Sequence, residues 1–272
     1  MLKDITLGQF FPGNTIVHKL DPRIKLVMVI GYIVALFLAK DVPSYGIVLV
    51  FLGICLKLST IRLKTILKGL KPVIIIILFT AIINVFYSSG HVIVKFWVLK
   101  ITYEGIRNAI FMVLRIMMLI TGTFLLTYTT SPIALTDGLE SLLNPLKKIR
   151  VPVHELAMMM SIALRFIPTL IEETDKIISA QKARGANFET GNIIQKAKAM
   201  LPILVPLFIS AFRRADELAI AMESRCYHGD EGRTRMKQLK MADRDYIALF
   251  IGAVLIGTVV VLNIYAGSIS KF

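Results

Sequence analysis

The 272-residue sequence is poor in charge and in cysteine. Only 18% of its residues are charged, whereas 56% are hydrophobic and the mean hydropathy is +0.70. Soluble domains carry about 25% charged residues, so this composition indicates a polytopic membrane protein. The two cysteines, Cys55 and Cys226, are too few for a disulfide framework. We interpret both as free thiols.

Three further absences narrow the function. Residues 1–20 contain no apolar stretch typical of a cleavable signal peptide, so the chain is expected to insert through its first span. The phosphate-binding pattern G-x-x-x-x-G-K-[ST] is missing, so the chain is not expected to hydrolyse ATP itself. The histidines are scattered without metal-ligand spacing, which predicts no metal or cofactor site. They are His18, His91, His154 and His228.

Five apolar runs approach the ~20 residues that cross a bilayer as a helix. They are Ile24–Ala39, Tyr45–Leu56, Pro72–Tyr87, Ile106–Thr127 and Tyr246–Ala266. The runs are continuous rather than alternating, which favours helices over barrel strands. The sequence therefore predicts an all-α membrane protein with about five transmembrane helices. Arg115 lies inside the fourth run, where it either contacts another subunit or a buried carboxylate, or else snorkels or pairs internally.

The distribution of basic residues predicts the topology. Spans two and three are joined by a loop that carries five basic residues and no acidic one: Lys57, Arg62, Lys64, Lys68 and Lys71. By the positive-inside rule this loop is cytoplasmic, which places the N-terminus in the cytoplasm and the C-terminus outside. We therefore expect a membrane region with four spans at 1–130, a cytoplasmic segment at 131–245, and a final span with an external C-terminus at 246–272.

The net charge of +14 lies mostly outside the segment 131–245. That segment holds 17 basic and 14 acidic residues, whereas the rest of the chain holds 15 basic and 4 acidic. The excess is thus interpreted as a topology signal rather than as a nucleic-acid-binding patch.

The segment 131–245 is predicted to form amphipathic helices. The apolar runs Val151–Leu164 and Leu201–Phe212 are expected to be separate helices lying against the base of the membrane. Leu170–Arg184 repeats its apolar residues at helical spacing, and a second such helix runs from about Arg213 to Arg225. The run Glu172-Glu173 with Asp175 could bind a cation, but its carboxylates point around the helix, which favours a solvated or partner-facing face.

Each of these amphipathic helices ends in an arginine triad. Ala183-Arg184-Gly185 ends the first and Ser224-Arg225-Cys226 ends the second, 41 residues later. A weak internal duplication is indicated by further matches at the same offset: Asp175 with Asp216, Ala180 with Ala221, and Gly191 with Gly232. Gly185 suits the left-handed conformation that ends many helices, whereas Cys226 is not expected to favour it equally.

Two interpretations of the arginines are open. A cation at a helix C-terminus stabilises the helix by about 0.3–1 kcal/mol, which requires no partner. Two matched tips with small neighbours instead favour insertion into grooves on other proteins, where the guanidinium offers five donors to carboxylates or carbonyls.

These motifs resemble the transmembrane T component of energy-coupling-factor transporters, a branch of the ATP-binding-cassette superfamily. The resemblance is carried by Gly8-Gln9-Phe10, by His18-Lys19-Leu20-Asp21-Pro22-Arg23, by Ala163-Leu164-Arg165-Phe166-Ile167-Pro168 followed by the first triad, and by Ala221-Met222-Glu223-Ser224-Arg225-Cys226-Tyr227. The second triad departs from the Ala-Arg-Gly usual in this family.

The resemblance implies a non-catalytic subunit for vitamin or trace-metal uptake. Its partners would be two cytoplasmic ATPases, whose grooves receive the two triads, and a substrate-binding S component within the bilayer. Three alternatives stay open on the residues alone. A self-contained secondary transporter or channel would need polar clusters at mid-membrane depth, and a lipid-directed enzyme would need paired acid, base or metal groups. A membrane scaffold for unrelated cytoplasmic partners needs neither.

Overall fold

The computed structural model describes residues 10–87, 92–96, 99–186, 188, 192–229 and 239–269. Within these ranges the α-helices are α1 (Pro22–Leu38), α2 (Val42–Ser59), α3 (Leu63–Leu70), α4 (Ile74–Tyr87), α5 (Tyr103–Thr129), α6 (Pro132–Leu143), α7 (Val153–Ala183), α8 (Ile193–Glu223) and α9 (Asp243–Ile269). Two 3₁₀ segments, Lys71–Val73 and Asn144–Ile149, follow α3 and α6. The predicted all-α class is confirmed.

A short antiparallel hairpin is the exception to the helical fold. Strands β1 (Val92–Phe96) and β2 (Leu99–Thr102) pair between α4 and α5, with Val94 opposite Ile101. None of the apolar runs identified in the sequence covers this stretch. Thr102 then begins α5, because its hydroxyl accepts a hydrogen bond from the Gly105 amide at 3.1 Å.

The chain divides into two compact units. The larger unit comprises Gly8–Leu139 and Leu239–Phe272, and the smaller comprises Met1–Leu7 and Glu140–Gln238. The larger unit therefore holds α1 to α5 with α9, and the smaller holds α7 and α8.

The core of the larger unit lies between α1, α2, α5 and α9. Its buried members include Leu36, Val48 and Val259, all fully enclosed. The Tyr32 hydroxyl donates to the Met118 carbonyl at 3.0 Å, and a Cβ at Gly122 would stand 2.5 Å from the Tyr32 ring. Glycine at 122 is thus required for this close approach between helices.

The Asp21-Pro22-Arg23 run begins α1 and also forms its hydrogen bonds with the segment at the start of α9. Pro22 occupies the first turn, where its missing amide costs nothing, and the Asp21 carboxylate accepts from the Arg23 amide at 2.9 Å. The Asp21 amide donates to Asp245 Oδ1 at 2.9 Å, and Arg23 Nη2 donates to the Leu239 carbonyl at 2.6 Å. This motif therefore joins the start of α1 to the start of α9.

Five helical stretches of the described chain are long and apolar enough to cross a membrane. They are Val42–Ser59, Leu63–Phe86, Tyr103–Thr129, Val153–Ala183 and Asp243–Tyr265. The number of stretches agrees with the prediction, but not all of them are the predicted spans. The predicted first span corresponds to α1, which has only 17 residues, while α7 qualifies by length and composition. The predicted third span also starts earlier, since α3 and α4 are continuous through the 3₁₀ turn.

The division of α7 and α8 into shorter helices is wrong. Each is a single helix of 31 residues, with Pro168 inside α7 and Pro202 and Pro206 inside α8. Each of these prolines removes one backbone donor and crowds the preceding turn. The apolar sequence on both sides continues the helix past them, as it does in many apolar helices.

Candidate functional site

The first arginine tip is built by a complete Schellman motif at the end of α7. The Ala186 amide donates to the Gln181 carbonyl at 3.0 Å, and the Gly185 amide donates to the Lys182 carbonyl at 3.0 Å. Gly185 is left-handed, with φ of 86°, which glycine adopts without strain. Arg184 caps the helix at this turn.

The second tip repeats the same motif at the end of α8. The Tyr227 amide donates to the Met222 carbonyl at 3.1 Å, and the Cys226 amide donates to the Glu223 carbonyl at 2.9 Å. Each of these donors and acceptors lies 41 residues after its counterpart in the first tip. The duplication indicated by the sequence therefore extends to the backbone hydrogen bonds of the two helix ends.

Cys226 adopts the left-handed turn that its side chain disfavours. Its φ is 54°, so the second helix ends in the same left-handed turn as the first although glycine is missing there. A left-handed non-glycine residue costs about 1–2 kcal/mol. His228 Nδ1 lies 2.9 Å from the Cys226 carbonyl, within hydrogen-bonding distance, and this contact stabilises the turn.

All six triad residues are exposed in the structure. They are Ala183, Arg184, Gly185, Ser224, Arg225 and Cys226. A Cβ added at Gly185 would meet nothing within 4 Å, so no other part of the described chain covers that tip. The Ser224 hydroxyl donates back to the Ile220 carbonyl at 2.7 Å, which leaves the Arg225 guanidinium as the polar group that projects.

The two helices meet at equivalent positions. Arg214 Nη2 lies 2.9 Å from Glu173 Oε2, and these residues are also separated by 41 positions. The Ser210 hydroxyl gives the same carboxylate a second hydrogen bond. The sequence analysis interpreted Glu173 as part of a solvated or partner-facing charge run, whereas in the structure it pairs α7 with α8. The repeat offset of 41 was the signal that could have identified Arg214 as its partner.

Later residues of α7 contact earlier residues of α8, so the two helices are antiparallel. Glu173 pairs with Arg214. The side-chain Nε2 of Gln181 donates to the carbonyl of Pro202, which is earlier in α8, at 3.4 Å. Arg184 lies 11 residues after Glu173, and Arg225 lies 11 residues after Arg214. At 1.5 Å per residue, each tip stands about 16 Å along its helix from the crossing. The structure does not bring the triads together; it separates them in opposite directions.

The two tips differ in charge. Lys182 is exposed beside Arg184, whereas exposed Glu223 lies beside Arg225. The first tip is thus purely basic over its last turn and the second is mixed.

Arg115 is paired inside the larger unit. Its Nε donates to the Tyr45 hydroxyl at 2.8 Å and its Nη2 donates to the Ala39 carbonyl at 3.3 Å. The guanidinium also lies 5.8 Å from the centre of the Phe37 ring. Of the two interpretations left open by the sequence, the internally paired one describes this arginine. Among the described residues no cluster of three histidines, cysteines or carboxylates could hold a metal ion.

Comparisons with known proteins place the chain in a family. A family model described as cobalt transport protein, CbiQ, matches residues 13–236. A relative from Thermosediminibacter oceani, named energy-coupling factor transporter transmembrane protein EcfT, is 55% identical over 260 residues, covering 95% of this chain and 98% of the relative.

The chain belongs to the EcfT family. A Clostridium kluyveri protein of the same name is 55% identical over 269 residues, covering 98% of this chain and all of the relative. A Bacillus subtilis protein of that name is 47% identical over 246 residues, or 90% and 93% of the two chains. The resemblance found in the motifs is therefore confirmed across nearly the whole length, and the chain is the transmembrane component of an energy-coupling factor transporter.

Proposed function

We propose that this EcfT-family subunit relays ATP-driven motions of two cytoplasmic ATPases to a membrane-embedded S component, which takes up a vitamin or another micronutrient. ATP hydrolysis is supplied by the ATPases, and this chain is the non-catalytic link. The observation that carries the proposal is the pair of matched Schellman turns, each exposing one arginine, at equal distances from the crossing of α7 and α8.

The form of each tip suits insertion into a groove. Small residues flank the arginine on both sides, so a partner's backbone can approach it closely. The guanidinium offers a planar fork of donors to carboxylates or carbonyl groups. Two tips that point away from a common crossing suit two separate copies of a partner better than one continuous surface does.

The proposal includes a division of the chain and an orientation. Residues 1–130 and 246–272 form the membrane region, and 131–245 form a cytoplasmic coupling region, with the N-terminus inside and the C-terminus outside. Although α7 is apolar enough to cross a bilayer, residues 172–183 contain five charged side chains, which favours a location outside the hydrocarbon.

Thiol labelling tests this orientation. In a Cys55→Ala background, a membrane-impermeant maleimide should label the exposed Cys226 in inside-out vesicles and not in intact cells. A cysteine introduced as Ser270→Cys in a background that lacks both native cysteines should show the opposite pattern. Labelling of Cys226 in intact cells would contradict the cytoplasmic placement of the coupling region.

Charge reversal at the tips tests the coupling role. The Arg184→Glu and Arg225→Glu variants should each reduce co-purification of the ATPases, and the double variant should abolish it together with uptake. Loss of an arginine at the centre of an interface costs at least about 2 kcal/mol, which is a roughly 30-fold weaker association.

The matched control is Arg213→Glu. Arg213 is an exposed arginine on the same helix as the second tip but lies 12 residues before it. It carries the same charge change and should leave both co-purification and uptake within about twofold of the unaltered protein. Undiminished uptake and normal ATPase yield in the double variant would refute the proposal.

A further inference from the structure

A partly open apolar cavity of about 430 Å³ lies within the larger unit, and none of its lining residues belongs to the arginine triads. Its walls come from α1, α2, α5 and α9 and include Val29, Leu52 and Ile251. It lies toward the start of α1 and α9 and the end of α2 and α5, since Leu20, Leu58, Leu126 and Ala248 all line it. Water is a poor occupant for such a cavity, because an ordered water needs two to four polar partners.

Two cations border this apolar space. Lys25 is buried, and its ammonium donates to three neutral groups: the carbonyls of His18 and Thr129 at 3.1 and 2.8 Å, and the Thr130 hydroxyl at 3.2 Å. Arg244 is exposed on the first turn of α9. Within the part of the chain that the structure describes, no hydrogen bond or ion pair engages the Arg244 guanidinium.

Neither neighbouring acid forms an ion pair with this arginine in the described structure. Asp245 is buried, and its oxygens accept from the backbone amides of Asp21 and Ala242 at 2.9 and 2.8 Å. Asp243 is exposed at the start of α9 and forms no ion pair with Arg244 in the described structure. An apolar chamber with an unengaged cation at its edge matches a molecule that has a hydrocarbon chain and an anionic head.

We propose that this cavity is a binding site for an anionic phospholipid, with an acyl chain in the cavity and the headgroup at Arg244. Basic pockets between membrane helices bind anionic headgroups in this way. The same end of the unit carries the basic loop that follows α2, so the positive-inside rule assigns the site to the inner leaflet. The site is separate from the triads, and its test requires no ATPase.

Native mass spectrometry of the full-length chain in detergent tests the headgroup. Dioleoyl phosphatidylglycerol and dioleoyl phosphatidylcholine share their acyl chains and differ in charge. We expect phosphatidylglycerol to be retained preferentially, and Arg244→Gln to reduce that preference about fivefold, the effect of one cation near a lipid headgroup. Arg62→Gln is the matched control, because Arg62 is equally exposed in the basic loop and does not line the cavity.

Equal retention of the two lipids by the unaltered protein would overturn the proposal. So would an effect of Arg62→Gln as large as that of Arg244→Gln, because it would show that any surface arginine at this end attracts the lipid.

The native cysteines provide a second measurement that locates the lipid. Cys55 is half-buried and lines the cavity, whereas Cys226 is exposed on the other unit and serves as an internal reference. Phosphatidylglycerol should slow the reaction of Cys55 with N-ethylmaleimide at least threefold relative to Cys226, while inorganic phosphate should not. Ala248→Phe, which extends a side chain from the cavity wall, should remove the protection. A Cys55 rate that does not respond to the lipid would refute occupancy of the cavity.

Discussion

Reversing the charge of Glu173 should weaken the contact between α7 and α8 and broaden the distribution of distances between the two tips. The carboxylate lies 2.9 Å from Arg214, with 24% and 34% of the two side chains exposed. Solvent screening at that exposure limits the pair to about 0.5–1 kcal/mol. Replacing attraction by repulsion of similar size makes the expected cost of Glu173→Arg about 1–2 kcal/mol.

Spin labels at the two tips provide the assay. With Cys55 replaced by alanine, labels at Cys226 and at Ala183→Cys report the distance between the tips by pulsed electron resonance. Glu173→Arg should broaden this distribution, and the exchanged pair Glu173→Arg with Arg214→Glu should narrow it again. Uptake should follow the same order, falling about fivefold to 30-fold in the single variant and recovering in the exchange.

The outcome that would refute this reasoning is an exchanged pair that behaves like the sum of the single variants. In that case the two charges act independently, and the crossing is set by apolar packing alone. Glu172→Arg is the control, because Glu172 is the exposed neighbour of Glu173 on α7 and the charge change is the same. It should leave the distance distribution unchanged.

Four other predictions concern the helix turns and the base of the larger unit. Cys226→Gly should retain ATPase co-purification and change stability by less than about 1 kcal/mol, because relief of the left-handed strain is offset by a more flexible unfolded chain. Gly185→Ala should cost about 1–2 kcal/mol and speed hydrogen exchange in the last turn of α7, since φ there is 86°. Lys25→Met should lower the thermal midpoint in detergent by removing at least about 2 kcal/mol of buried hydrogen bonding. Burial lowers the pKa of His18, so its unfolded state binds a proton more readily, and stability should fall as pH drops below about 6.5 in a way that His18→Gln removes.

The sequence predicted the helix type and most span positions because long apolar runs have few alternatives in a membrane. The predicted first span corresponds to α1, whose 17 residues lie at the lower limit of what crosses a bilayer. The sequence analysis divided α7 and α8 because their apolar runs are short and interrupted by polar residues, whereas each helix continues through these interruptions.

The arginine tips themselves were predictable, but their relation was not. Repeat offset and helical periodicity located both triads, whereas the crossing through Glu173 and Arg214 depends on long-range packing between helices. The network around Lys25 was also missed. A lone lysine near the start of an apolar run resembles a topology signal, and two of its three acceptors, Thr129 and Thr130, lie more than 100 residues later in the sequence.

The hydrogen bond from Asp21 to Asp245 has a consequence for biogenesis. Its two residues are 224 positions apart, so the partner is made long after the first helix has left the ribosome. At 5–20 residues per second, the delay is about 10–45 s. During that interval the N-terminal helix lacks the neighbour that covers one of its sides, and a nascent chain stalled before residue 243 should be a preferred substrate for membrane chaperones and quality-control proteases.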